Sequence, residues 1–147
     1  MRLFLRLLTL ITLPLLPILA VAPAQAAVGL WATDGGKSHV RIEACGDKLC
    51  GHIVWLQEPL DENGVEKTDK NNPDEGLRAR KIVGLPLLTR FVPGEESNEW
   101  IDGKIYNPED GETYSCTMTL QADGTLKVRG YVGLPIFGKT QIWTPVN

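Results

Sequence analysis

Tyr114-Ser115-Cys116-Thr117-Met118-Thr119-Leu120-Gln121, followed by Ala122-Asp123-Gly124 and then Thr125-Leu126-Lys127-Val128-Arg129, decides the fold. Tyr114, Cys116, Met118 and Leu120 alternate with Ser115, Thr117, Thr119 and Gln121. A period of two puts the first set on one face of a strand and the second on the other. After Asp123-Gly124 the alternation resumes, with Leu126 and Val128 set against Lys127 and Arg129. A second turn signal, Asn107-Pro108-Glu109-Asp110-Gly111, lies upstream and closes off the run from Trp100 to Tyr106. Strands joined by short turns of this kind form an up-and-down antiparallel meander.

The first 26 residues stand apart from that pattern. Arg2 and Arg6 precede an apolar run from Leu7 to Val21 that contains Pro14 and Pro17, and Ala24-Gln25-Ala26 supplies small residues at a cleavage site. These are the parts of a secretory signal peptide cut after Ala26. The run is short for a spanning helix and is broken by its prolines, so no stable membrane anchor is expected. Residues 27–147 then form a single domain. Without Arg2 and Arg6 the chain has 13 basic against 18 acidic residues, a net charge of −5. That balance lacks the basic footprint of a nucleic-acid partner.

Cys45 and Cys50 flank Gly46-Asp47-Lys48-Leu49. In an oxidising compartment this pair is expected to form a disulfide across a tight turn. Cys116 is left over on the apolar face and is expected to be buried and inert.

Strand patterns also cover His39–Ala44, Leu49–Leu56 and Lys81–Val92, and Asp34-Gly35-Gly36 marks a turn after Gly29-Leu30-Trp31. Residues 60–80 are almost devoid of apolar side chains and predict a long surface excursion with one helical turn near Pro73–Ala79. Loops of that length are often functional. Val83-Gly84-Leu85-Pro86-Leu87-Leu88 recurs as Val132-Gly133-Leu134-Pro135-Ile136-Phe137. Gly and Pro inside an apolar run disrupt a ladder, so each copy is expected to bend or bulge a strand. About eight short strands and no long helix predict an all-β fold, a single antiparallel up-and-down β-barrel, with a two-sheet sandwich as the alternative. Gly29-Leu30-Trp31 and the late Trp143 look lipocalin-like, and in such barrels the first-strand Trp plugs the closed end.

Longer motifs carry a wider resemblance. Cys45 to Leu56, Asp69-Lys70-Asn71-Asn72-Pro73-Asp74, Gly103 to Gly111, and Leu126 to Tyr131 onward resemble the exported bacterial proteins of domain-of-unknown-function family 2147. The resemblance runs from Gly29 to Trp143. Members often follow the final Trp with Thr-Arg, whereas Thr144-Pro145 stands here. The resemblance implies a lipocalin-like barrel in the cell envelope, periplasmic or secreted, and implies no activity.

Candidate chemistry is sparse. Asn71, Asn72, Arg78 and Arg80 lie on the long loop, and Arg129 faces away from Leu126; guanidinium groups pair with carboxylate or phosphate. Asp61, Asn63, Asp69, Asn71 and Asp74 are oxygen ligands without the spacing of a calcium loop, since Val65 falls where a ligand belongs. His39 and His52 alone make no zinc site, and Cys116 with His52 has no orienting group or oxyanion hole. No metal, cofactor or catalytic residue is expected. The leading expectation is non-catalytic binding of a small apolar or amphipathic molecule by a monomer. The expected site is Arg78, Arg80, Leu85, Arg129, Leu134 and Phe137, at the open end of the barrel. The alternative is a protein–protein interaction module with a filled barrel.

Overall fold

The computed structural model describes residues 26–147, so the signal segment expected over residues 1–26 lies, except for Ala26, outside the described residues. Eight strands follow one another around a closed antiparallel barrel. They are β1 (Gly29–Ala32), β2 (Ser38–Cys45), β3 (Lys48–Leu56), β4 (Pro86–Pro93), β5 (Glu99–Asn107), β6 (Glu112–Leu120), β7 (Leu126–Tyr131) and β8 (Lys139–Pro145). Closure is by β1 on β8, with Trp31 opposite Pro145 and Ala32 opposite Thr144. Each strand pairs with its sequence neighbour, and among the described residues the ring leaves no second sheet to form a sandwich.

Register fixes which side chains enter the barrel, because directly paired residues share a face. Trp31 pairs with Val40, and Val40 with Ile53. Trp100 pairs with Met118, and Met118 with Val128. All six are buried and belong to one apolar cluster with Ile42, Leu88, Phe91, Leu126 and Trp143. The alternation read at Tyr114–Leu120 and Leu126–Val128 therefore corresponds to the inner face. Trp100 and Gly103 both point inward although three residues apart, because the β5–β6 register shifts between them and Asp102 takes a φ of 57°. Such a bulge re-aims the side chains that follow it.

The inside of the barrel is a core. At Gly103 the Phe91 ring occupies the volume a Cβ would need, and at Gly51 a Cβ would stand 3.1 Å from both Leu88 and Val40. Trp31 fills the inner wall near the chain's entry and donates its Nε1–H to the carbonyl of the buried Ala27 at 2.9 Å. Trp100 Nε1 is buried and, among the described residues, finds no acceptor.

The meander sorts the connections between two ends. One end has the tight β2–β3, β4–β5 and β6–β7 turns. Cys45 and Cys50 are joined across the first of these, with a Cα–Cα distance of 5.8 Å, and Cys116 is free and buried. The other end collects the β1–β2 loop, the long β3–β4 loop, the β5–β6 turn and the β7–β8 loop. Both Gly-Leu-Pro segments therefore sit at that end. They differ in structure. The first leads into β4 at Pro86, where the β3–β4 register is irregular. The second does not bend a strand: it lies between strands and makes a 3-10 turn at Pro135–Phe137. Gly84 and Gly133 have φ values of 98° and 74°, a conformation glycine adopts without steric cost.

Candidate functional site

The long loop folds back on itself before it meets the barrel. Asp61 Oδ1 accepts the backbone N–H groups of Asn63 and Val65 and shapes a tight turn. Leu60 bridges to Glu66, and Thr68 to Lys81, so the two limbs run side by side. Between them Asp74 caps a 3-10 turn at Glu75–Leu77 by accepting from Gly76 N–H at 2.9 Å. The tip is fastened to the β5–β6 turn, because Asn71 Nδ2 donates to the carbonyls of Pro108 and Glu109 at 3.1 and 2.9 Å. Ile82 and Leu85, on the returning limb, are buried in the core.

Asp69 anchors this arrangement and is fully buried. Its Oδ1 accepts the Tyr106 hydroxyl at 2.6 Å, and its Oδ2 accepts Asn72 Nδ2 at 2.8 Å and Arg80 Nε at 2.9 Å. Arg80 Nη2 is also 2.9 Å from Oδ2. Burial pushes the carboxyl pKa upward. The bonds from Tyr106, Asn72 and Arg80, with the guanidinium charge, outweigh it and hold Asp69 below the usual carboxylate range. Tyr106 shows the complement. Burial first, then the bond to Asp69 and its charge, push the phenol up to about 12. The Arg80 guanidinium also stands over the Tyr106 ring, 5.6 Å from its centroid. The buried charge is thus paired and hydrogen-bonded, as burial of an ion requires.

Beside this network lies a cleft of about 260 Å³ lined by Asn72, Pro73, Arg80, Pro86, Leu87, Thr89, Lys104, Tyr106 and Thr113. Register places it on the outside of the barrel. Thr89 pairs with Lys104, and Tyr106 with Thr113, on the face opposite to Leu88 and Ile105. Leu88 is the side chain that packs inward on Gly51. The cleft therefore sits between the long loop and the outer wall of β4, β5 and β6. Lys104 Nζ donates to Ser115 Oγ at 3.1 Å and has no carboxylate within 4 Å among the described residues.

The residues singled out in sequence fall into two groups at the same end. Arg80 binds Asp69 and Arg78 binds the neighbouring Asn72: Arg78 Nε donates to the Asn72 carbonyl at 2.7 Å, and its Nη1 lies 3.6 Å from Glu75. Arg129 instead joins Leu134 and Phe137. Its guanidinium donates to the carbonyls of Pro135 and Ile136 and to Thr140 Oγ1, which holds the β7–β8 loop against the outer wall. Leu134 and Phe137 point to solvent, with Phe137 78% exposed, whereas Leu85 is sequestered in the core. Asp69, Lys104 and Thr89 were absent from the expected site. In the sequence Asp69 is one acidic loop residue among several.

A closed eight-stranded antiparallel meander with an inner-face Trp on its first strand is a lipocalin-like barrel. The chain belongs to the bacterial family described as "Uncharacterized protein conserved in bacteria (DUF2147)", whose model matches residues 29–145. The structure of protein HP1028 from Helicobacter pylori, described as belonging to the lipocalin family, is similar, with a TM-score of 0.69 and 25% sequence identity over 82% of each chain. No curated protein matches the sequence.

Proposed function

We propose that this protein is an exported, non-catalytic, monomeric binding barrel that takes a small amphipathic molecule in the cell envelope. Its binding site is the cleft between the long loop and the outer wall. The observation that carries this reading is the pairing of a packed lumen with an outer cleft that combines Leu87, Pro73 and Pro86 with polar groups. Binding sites are concave, largely apolar and oriented by a few polar groups. At about 260 Å³ the cleft is below the usual range of roughly 300–1,000 Å³ and suits a compact ligand. Its floor is rigid, because the buried Asp69 fixes Asn72, Arg80 and Tyr106 together. Export is supported by the N-terminal sequence and by the Cys45–Cys50 disulfide, a bond that persists in oxidising compartments.

Native mass spectrometry of the protein purified from its own periplasm tests this. A co-purified small molecule, lost when Leu87 is replaced by Asp, is the expected result. Protein that arrives ligand-free and gains no thermal stability from a panel of amphipathic compounds counts against it. A second reading, docking to another envelope protein, is favoured by the exposed Val132, Leu134, Ile136 and Phe137 of the β7–β8 loop. A photo-crosslinker at position 137 that captures one defined envelope protein in cells supports that reading.

A further inference from the structure

We infer that the outer-wall cleft selects small organic carboxylates, with the Lys104 ammonium as the group that reads the charge. This rests on the binding reading above and names its ligand class. The charges around the cleft lead to it. The lining has two cations and no acidic residue. The Arg80 charge already has a counter-ion, because both its Nε and its Nη2 face Asp69 Oδ2. Lys104 has no carboxylate partner among the described residues. An ammonium has three N–H donors, and the neutral Ser115 hydroxyl takes one.

The neighbours of Lys104 suit a carboxylate with a short apolar body. Thr89 stands directly across the ladder, and Thr89 and Thr113 line the same space. Leu87, Pro73 and Pro86 supply apolar surface. The Tyr106 hydroxyl is committed as a donor to Asp69 and does not compete for the ligand. A charge-assisted N–H to carboxylate bond is shorter and stronger than a neutral one. The site should therefore distinguish an acid from the alcohol of the same length.

The test uses the full mature chain titrated with hexanoate and, separately, with 1-hexanol, followed by amide NMR at pH 7. Hexanoate is expected to saturate, with shifts concentrated at Thr89, Lys104, Tyr106 and Thr113. Hexanol should bind at least about tenfold more weakly, as should hexanoate to Lys104→Gln, while Lys104→Arg keeps most of the affinity. Lys104 is partly exposed on the barrel wall, and an unchanged amide spectrum of unliganded Lys104→Gln verifies its fold. Equal binding of hexanoate and hexanol, or of hexanoate to wild type and Lys104→Gln, overturns the carboxylate inference and leaves the cleft itself standing. Inorganic phosphate binding as tightly as hexanoate overturns the organic part of it. If neither hexanoate nor hexanol shifts these residues, the inference and the cleft reading both fall.

Discussion

Replacing Asp69 with Asn keeps the shape of the buried anchor and removes its charge. The carboxylate accepts from Tyr106, Asn72 and Arg80, with a further guanidinium nitrogen of Arg80 at 2.9 Å. An Asn side chain has one acceptor oxygen, and its NH₂ turns two donors toward groups that are themselves donors. At least one of the Tyr106, Asn72 and Arg80 groups then loses its acceptor, and Arg80 loses its counter-ion. Breaking a fully buried pair costs about 3–5 kcal/mol. The Arg80 side chain retains 29% exposure and can rehydrate, so a figure of about 2–4 kcal/mol is expected at pH 7. For a domain near 120 residues that is a fall in Tm on the order of 10 °C. Urea unfolding of wild type and Asp69→Asn gives the difference directly. The pH dependence adds a signature. The folded pKa of Asp69 lies below its unfolded value, so its contribution is fully present above the unfolded value, near 4. It is lost as the pH falls through the folded pKa, and the gap between wild type and Asp69→Asn should narrow in acid over that window. A difference under about 1 kcal/mol at pH 7, or a gap that stays constant into strong acid, would refute the claim that this carboxylate anchors the loop.

Four further outcomes follow from the core and the disulfide. Thiol counting in denaturant should find one thiol before reduction and three after. Cys116 should resist alkylation in the folded state, since burial pushes its thiol up to about 12. Trp31→Ala should cost about 3–5 kcal/mol in chemical denaturation, and a loss below 1 kcal/mol would mean that the first-strand Trp plugs nothing. Gly103→Ala should destabilise by about 1–3 kcal/mol or more, because its methyl group would overlap the Phe91 ring; a neutral result would show that the lumen is looser than described.

How much of this was legible in the sequence depended on how local each signal was. β6 and β7 were readable because alternation and the Asp123-Gly124 turn lie within a few residues of each other. The Cys45–Cys50 link was readable because both cysteines flank one short turn. The anchor under the long loop was not. Asp69 meets Arg80 and Tyr106 from 11 and 37 positions away, and nothing near Asp69 in sequence separates it from the solvated Asp61 or Asp74. The two Gly-Leu-Pro segments show the same limit. In the first, Gly84 N–H donates to the Ile53 carbonyl and Ile53 N–H to the Leu85 carbonyl, so β3 draws Leu85 into the core. Leu134 meets no such strand and remains exposed. Identical motifs took different fates because of a partner that only the closed barrel supplies. Arg129 likewise had an outward position that was readable from alternation, while its loop-carbonyl partners were not.

The central claim is that the inside of this barrel is core and its ligand site lies outside, beneath the long loop. Methyl NMR of protein labelled at Leu and Met during a hexanoate titration tests it most directly. Leu87 faces the cleft, while Met118 and Leu126 are fully buried on the inner face. The account predicts saturable shifts at the Leu87 methyls and none at Met118 or Leu126. Shifts at Met118 and Leu126 with Leu87 unmoved would put the ligand in the lumen and contradict it.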